Sequence, residues 1–273
     1  MTQKDPSSEL PHISDETWEA SWKKHWENAQ LNYELPPSPH NTESAERDFL
    51  MDPRSEEKEK ERLSRIDKEF TMGFERLGHL GPAVTIFGSA RFKPGERYYE
   101  KAEATGAGFA KAGFTVLTGG GPGAMEAANK GAFEAGGRSY GLNIVLPHEQ
   151  HANPYVHDSV EFNYFFVRKV MLFKYSCAFI VMPGGMGTLD ELFEAVTLIQ
   201  CNKIGPFPVI LVGSEFWSGL REFVGFMASQ GVFAPEEIGF AHIVDTPEEA
   251  VDMVLRSMPA DFRAQLKPLG EEG

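Results

Sequence analysis

The sequence predicts an α/β protein: a Rossmann-like, doubly wound parallel sheet with helices on both faces, preceded by a mainly helical N-terminal extension. Three observations carry this. From residue 81 onward, short apolar runs alternate regularly with Ala/Gly-rich amphipathic stretches. The runs are apolar throughout, as in strands buried on both faces of a parallel sheet. Two of them end in glycine-rich turns that open directly into helices.

The elements follow in order. A strand at 83–88 (AVTIFG) precedes a helix at 96–112, and a strand at 114–118 (FTVLT) precedes one at 122–136. A strand at 139–145 (SYGLNIV) is followed by a weaker candidate at 161–165 (EFNYF), then a helix at 166–176. Strands at 178–182 (AFIVM), 208–212 (PVILV) and 242–245 (HIVD) alternate with helices at 188–200, 214–229 and 247–257. No internal repeat or low-complexity tract competes with this pattern.

The chain thus divides into an extension at 1–80, partly disordered or helical, a nucleotide-binding α/β domain at 81–257 and a tail at 258–273. In the extension, Leu63, Ile66, Phe70, Phe74 and Leu77 recur at spacings of three and four. They predict one apolar stripe on a charged helix over about 53–77. Trp18, Trp22 and Trp26 recur every four residues, which stacks three indoles on one helical face, a pattern that usually means burial on the domain or on an oligomer partner.

Composition excludes several classes. Of 273 residues, 26 are basic and 40 acidic, for a formal charge of -14. That balance argues against a nucleic-acid or anionic-membrane binder that works through a broad basic surface. It is spread unevenly, with 18 acidic and 11 basic side chains in residues 1–80. Two cysteines, Cys177 and Cys201, exclude a disulfide framework, and no Cys/His cluster has metal-ligand spacing. The first residues lack a signal-peptide layout, and no apolar run reaches the roughly 18–20 residues that span a bilayer. A cytoplasmic protein is expected.

In a doubly wound sheet, ligands bind at the carboxyl ends of the strands where the topology reverses. Two glycine-rich loops fall there: Gly119-Gly120-Gly121-Pro122-Gly123 after the second strand, and Pro183-Gly184-Gly185-Met186-Gly187-Thr188 after the 178–182 strand. Glycine admits close approach of a ligand, and helix-start amides reinforced by the dipole bind anions. Together the loops predict a phosphorylated small-molecule ligand. Neither is a Walker A loop nor a clean GxGxxG, which weakens ATPase and nicotinamide readings.

Glu191 has two readings from its spacing. Thr188 and Glu191 fit a capping box; alternatively, Glu191 points from the first helical turn into the anion pocket, kept ionised by the helix N-terminus. An ionised carboxylate beside a sugar suits stabilisation of an oxocarbenium-like transition state or activation of water. Arg168 is its natural cationic partner; because two adjacent cations cannot share one helical face, either Arg168 or Lys169 points elsewhere.

PGGMGTLDE at 183–191 resembles the PGGxGTxxE signature of the LONELY GUY family, long labelled lysine decarboxylases. Arg168-Lys169 with Met171 lies where that family has its Arg–Lys pair. FGSAR at 87–91, GGGPGAMEAANKGA at 119–132 and GLNIVLPHEQHANPY at 141–155 resemble its longer bacterial members. The likeness covers about residues 80–257. It implies a phosphoribohydrolase that cleaves purine nucleoside 5'-monophosphates, cytokinin riboside monophosphate or AMP, to free base and ribose 5-phosphate, without cofactor or metal, as a homodimer or higher homo-oligomer. Arg168 and Glu191 would be the catalytic pair, and this resemblance favours the pocket reading of Glu191. Gly184, Gly185, Gly187 and Thr188 would hold the phosphate, with Ser89 and Gly119, Gly120 and Gly121 lining the cleft. Lys169 and Met171 would lie near the base, and Glu126 near the ribose. The alternative is a non-catalytic carrier of a nucleotide or phosphorylated cofactor on the same fold. The decarboxylase label would need a Schiff-base lysine, for which no motif is present.

Overall fold

The computed structural model describes residues 14–31, 45–51, 55–145, 152–205, 207–232, 239 and 241–270. Two compact units are present, Met1–Glu43 and Ser44–Gly273. The first contains helix α1 (Asp15–Leu31), on which Trp18 and Trp22 are both exposed. The side chain of Trp26, third in the predicted stripe, lies outside the described residues, as do positions 146–151 of the 141–155 motif.

In the second unit α2 (Ala45–Met51) and α3 (Glu56–Leu77) lead into β1 (Ala83–Phe87), α4 (Arg97–Lys111), β2 (Thr115–Thr118), α5 (Ala124–Glu134) and β3 (Ser139–Ile144). Then come β4 (Asp158–Phe162), α6 (Phe165–Lys174), β5 (Ala178–Val181) and α7 (Met186–Gln200). The unit continues with β6 (Val209–Val212), α8 (Ser214–Ser229), β7 (His242–Val244), α9 (Pro247–Ser257) and the short α10 (Ala260–Arg263). Helices α2 and α3, assigned on sequence to the extension, therefore share a compact unit with the sheet.

The strands pair in the order β4-β3-β2-β1-β5-β6-β7, every pair parallel. Alternation within each strand fills two cores. Phe87, Phe179, Val181, Val209 and Leu211 face one side, where α3, α6, α7 and α8 add Leu77, Val167, Leu172, Leu192 and Trp217. Val84, Ile86, Ala178, Ile180, Ile210 and Val212 face the other, under α4, α5 and α9. Burial on both faces is why these strands read as unbroken apolar runs. The weak candidate strand is real but begins three residues earlier, at Asp158; as an edge strand carrying Asp158 and Glu161 it lacks the apolar signature of the inner strands.

On α3 the predicted apolar stripe is borne out in part: Leu77 is buried and Ile66 and Phe70 pack against the core, but the buried face extends beyond the stripe. Leu63 and Phe74 are exposed, whereas Arg62, Glu69, Gly73 and Leu77 are buried. The helix is rotated so that polar groups reach the β4–α6 corner, a demand that hydrophobic periodicity does not register.

Helices α4 and α5 pack backbone to backbone. A methyl added at Gly106 would overlap the Ala128 carbonyl, and one at Gly131 the Glu103 carbonyl. Exchanging glycine for alanine in an exposed helix gains about 1 kcal/mol, but overlap in a closed core costs about 1–3 kcal/mol or more, and here the overlap is with backbone that cannot swing aside. Gly106→Ala is expected to lower the urea midpoint, with a net loss of about 2 kcal/mol. An unchanged or raised midpoint would show that the two helices have room to part.

Candidate functional site

The progression of strand order reverses between the adjacent, parallel β1 and β5, and a cleft of about 590 Å³ opens above their carboxyl ends. Its walls are Phe87–Arg91 after β1, Gly119, Met125 and Ile144, then Phe165, Arg168 and Leu172 of α6, and Gly185–Thr188 with Glu191 of α7.

The turn from β5 into α7 follows from its glycines. A methyl at Gly184 would collide with Thr188 Oγ1, so only glycine lets the loop fold over the first turn. Gly185 is the N-cap and makes no side-chain cap bond. The Leu189 N–H donates to the Gly185 carbonyl at 3.0 Å and begins the helical ladder. The amides of Met186, Gly187 and Thr188 precede that bond, so they are helix-start donors of the kind that can receive an anion.

The capping-box reading is not realised. Because α7 begins at Met186, Thr188 is its third residue and not its N-cap, and Glu191 lies in the second turn. That extra depth weakens the dipole at Glu191, and burial pushes its carboxyl up to about 7, against the opposing pull of Arg168. The expectation that the helix start keeps Glu191 fully ionised is corrected accordingly.

The 119–123 loop is largely tied down. Gly120 N–H donates to Thr118 Oγ1 at 2.9 Å, and Asn153 donates to the Gly120 carbonyl through its N–H at 2.8 Å. Asn153 Nδ2 also donates to the Gly120 and Gly121 carbonyls, at 3.1 and 3.2 Å. The first amide of α5, Ala124 N–H, donates to the Ser89 carbonyl at 2.9 Å. Gly123, at φ +71°, packs so closely that a methyl there would overlap the same carbonyl. Of the three predicted glycines in this loop only Gly119 reaches the cleft wall. Gly120 and Gly121 are tied to Asn153 instead, and it is Gly123 and Ala124 that pack on the Ser89 loop.

Arg168 and Glu191 meet across the cleft, Nη2 to Oε1 at 3.3 Å, both side chains about nine-tenths buried. The Arg168 guanidinium lies 5.2 Å from the centre of the Phe165 ring. Its Nε has no hydrogen-bond partner among the described residues, which leaves a buried donor unspent at the cleft wall. Burial lowers the Arg168 pKa, with Glu191 the principal opposing charge.

The remaining predicted residues are dispersed. Ser89, Gly185, Gly187 and Thr188 line the cleft, while Gly184 supports it from behind. Lys169 faces away, paired with Asp190 at 3.1 Å and Glu194 at 2.6 Å, as two adjacent cations on one helix require. Met171 is wholly buried, its sulfur packed on Gly73, and does not line the cleft. Glu126 accepts from the Tyr99 hydroxyl at 3.0 Å, and Met125 takes the cleft position beside it. Sequence reasoning missed Phe165 and Leu172, although their i, i+3, i+7 spacing with Arg168 marks one helical face. Among the described residues no three His, Cys, Asp or Glu side chains cluster as metal ligands, and no helix is long and apolar enough to cross a membrane.

Comparison with known proteins supplies context for this geometry. A family model described as possible lysine decarboxylase matches residues 125–254. A Mycobacterium tuberculosis protein named cytokinin riboside 5'-monophosphate phosphoribohydrolase is 31% identical over 157 residues, covering 56% of this chain and 82% of the relative. A Rhodococcoides fascians protein of the same name is 28% identical over 165 residues, covering 56% and 79%. A crystal structure from a structural-genomics consortium aligns at a TM-score of 0.51 and 26% identity, covering 64% of this chain and 99% of its own.

A titration tests the carboxyl. Its folded pKa of about 7 stands above the ordinary 4.5, so the stability it contributes is full below pH 4.5 and is lost as pH rises through 7. Glu191→Gln cannot ionise, and the melting temperature of the variant relative to wild type should rise between pH 5 and 8. The change corresponds to at most about 3 kcal/mol, and differential scanning fluorimetry across that range reads it. A difference that stays flat would mean Glu191 is ionised throughout.

Proposed function

Since the chain belongs to the LONELY GUY family, whose relatives above carry the name phosphoribohydrolase, we propose that it hydrolyses the N-glycosidic bond of purine nucleoside 5'-monophosphates. The products are the free base and ribose 5-phosphate. One observation carries the reading: the buried Arg168–Glu191 pair shares a cleft with the open amides of α7. From Gly187 to Glu191 the helix rises roughly 6 Å, the scale of a pentose between its 5'-phosphate and anomeric carbon.

In this reading the amides of Met186, Gly187 and Thr188 hold the phosphate, and Ser89 and Gly119 line its approach. Anchoring the phosphate fixes the ribose against Glu191 and lowers the barrier by positioning. As the base departs, positive charge grows on the anomeric carbon and ring oxygen. The Glu191 carboxylate stabilises that charge and orients the attacking water. Arg168 holds Glu191 in place and offers its remaining N–H groups to the nucleotide. Met125, Ile144, Phe165 and Leu172 form the apolar wall available to the base. A homo-oligomeric assembly is part of the proposal, read by light scattering.

Purified protein incubated with AMP and with isopentenyladenosine monophosphate should release free base. Glu191→Gln and Arg168→Ala should each lower kcat at least about 100-fold while circular dichroism stays unchanged. With Glu191 acting as the carboxylate, kcat/KM should climb with pH through about 7. A profile that falls over that range would make Glu191 an acid instead. Recovery of tightly bound, unhydrolysed nucleotide would turn the reading to a carrier.

A further inference from the structure

The helix that carries Arg168 has no cap of its own. Its N-cap is Tyr164, which makes no side-chain cap bond, and its leading amides are satisfied from far away in the sequence. Glu69 on α3 accepts from Asn163 N–H at 3.0 Å and Asn163 Nδ2 at 2.7 Å through Oε1, and from Tyr164 N–H at 3.4 Å through Oε2. Glu46 on α2 accepts from Phe165 N–H at 3.3 Å. A carboxylate at a helix start satisfies orphan donors and complements the dipole together.

The same face of α3 grips this segment twice more. One turn beyond Glu69, Gly73 sits against Met171, where a methyl would come within 2.6 Å of the sulfur. A further turn on, Arg76 Nη2 donates to both carboxylate oxygens of Asp158 at 2.6 and 2.7 Å. Glu69, Gly73 and Arg76 stand at i, i+4 and i+7, so a single helical face holds the start of β4, the start of α6 and the middle of α6. Glu69 is only 8% exposed. A buried carboxylate is retained at such a position when it has donors to satisfy, and here those donors begin the helix of the site.

We infer that Glu69, assisted by Glu46, is a positioning residue for Arg168: it fixes the first turn of α6, and so the reach of the guanidinium to Glu191 and the cleft. The inference rests on the catalytic reading of Arg168 given above. Helices α2 and α3 thereby become part of the working site, although the family model, which matches 125–254, does not extend to them. The chain between Phe165 and Arg168 is less than one turn. A first turn that frays moves the Phe165 ring and the Arg168 side chain stacked on it together.

The test compares Glu69→Ala and Glu69→Gln with Gly106→Ala, which loosens the opposite face of the sheet. AMP hydrolysis, melting temperature and amide hydrogen exchange over residues 163–168 are measured on the full chain. Glu69→Ala should lower kcat at least about tenfold and speed exchange over 163–168. Glu69→Gln, which keeps a carbonyl acceptor, should recover most of both. Gly106→Ala should melt lower yet retain kcat within about twofold at a temperature where it is folded. Wild-type kcat in Glu69→Ala, or an equal loss in Gly106→Ala, overturns the inference. If Glu69→Ala does not fold, Glu69→Asp, which withdraws the carboxylate by one methylene, replaces it under the same criteria. Should the wild type not hydrolyse AMP, the functional reading falls separately, and unchanged exchange over 163–168 in the Glu69 variant then rejects the positioning role by itself.

Discussion

The seam between β1 and β5 is where the connections of the sheet part, and the rest of the site depends on it. Strand register along the seam runs from Val84 opposite Ala178 to Phe87 opposite Val181. The pairing continues past the strands, with Met182 N–H bonded to the Phe87 carbonyl and Ser89 N–H to the Pro183 carbonyl. Those bonds hold the loop after β1 and the approach to α7 within one hydrogen bond of each other. The helices that follow, α4 and α7, then leave to opposite faces of the sheet. Two loops bound together at their roots and drawn apart above them must enclose a cleft.

Within that cleft the ion pair is an electrostatic compromise. At an effective dielectric near 20, charges about 4 Å apart attract by roughly 4 kcal/mol, while removing each ion from water costs several kcal/mol. Desolvation wins at Glu191, whose carboxyl rises to about 7 despite the guanidinium beside it. The pair therefore contributes little net stability, and the polar groups around it read as a site held in place by its surroundings. The anchors lie on elements remote in sequence: Glu69 and Glu46 at the start of α6, Gly184 over the first turn of α7, and the Asn153-bonded glycine loop behind Ser89. Each removes a freedom that Arg168, Glu191 or the anion loop would otherwise keep.

Much of this was legible in the sequence because the signals are local. Apolar runs such as PVILV and AFIVM mark strands buried on both sides, and PGGMGTLDE places a flexible loop directly before a helix. Start positions were less legible: α7 begins two residues before the predicted position because Gly187 is accommodated inside the helix, and this shift carried Glu191 from the first turn to the second. Contacts between distant segments left no local trace. The burial of Glu69 in preference to Leu63 answers amides nearly a hundred residues away, and Met171 is core because α3 presents Gly73 to it. Glu126 shares its loop with cleft residues, yet its position in α5 turns it toward Tyr99.

The acidic excess bears on how an anionic ligand reaches the site. At physiological ionic strength the Debye length is about 8 Å, so exposed carboxylates farther away than that repel a dianion only weakly. Within that radius the groups differ in kind. The amides of Met186, Gly187 and Thr188 and the unspent Arg168 donor attract an anion, and Lys169 is neutralised by Asp190 and Glu194 on the far side of α7. Glu191 is the one carboxylate among the described residues that line the cleft, and with a carboxyl near 7 it is only partly charged at neutrality. In the proposed reaction, an incoming phosphate would add negative potential that favours the protonated form further, while positive charge developing on the ribose would favour the carboxylate. On that proposal the same group would have its weakest charge while the anion binds and its strongest where the transition state needs it. Burial of Glu191 is what makes that change available near neutral pH.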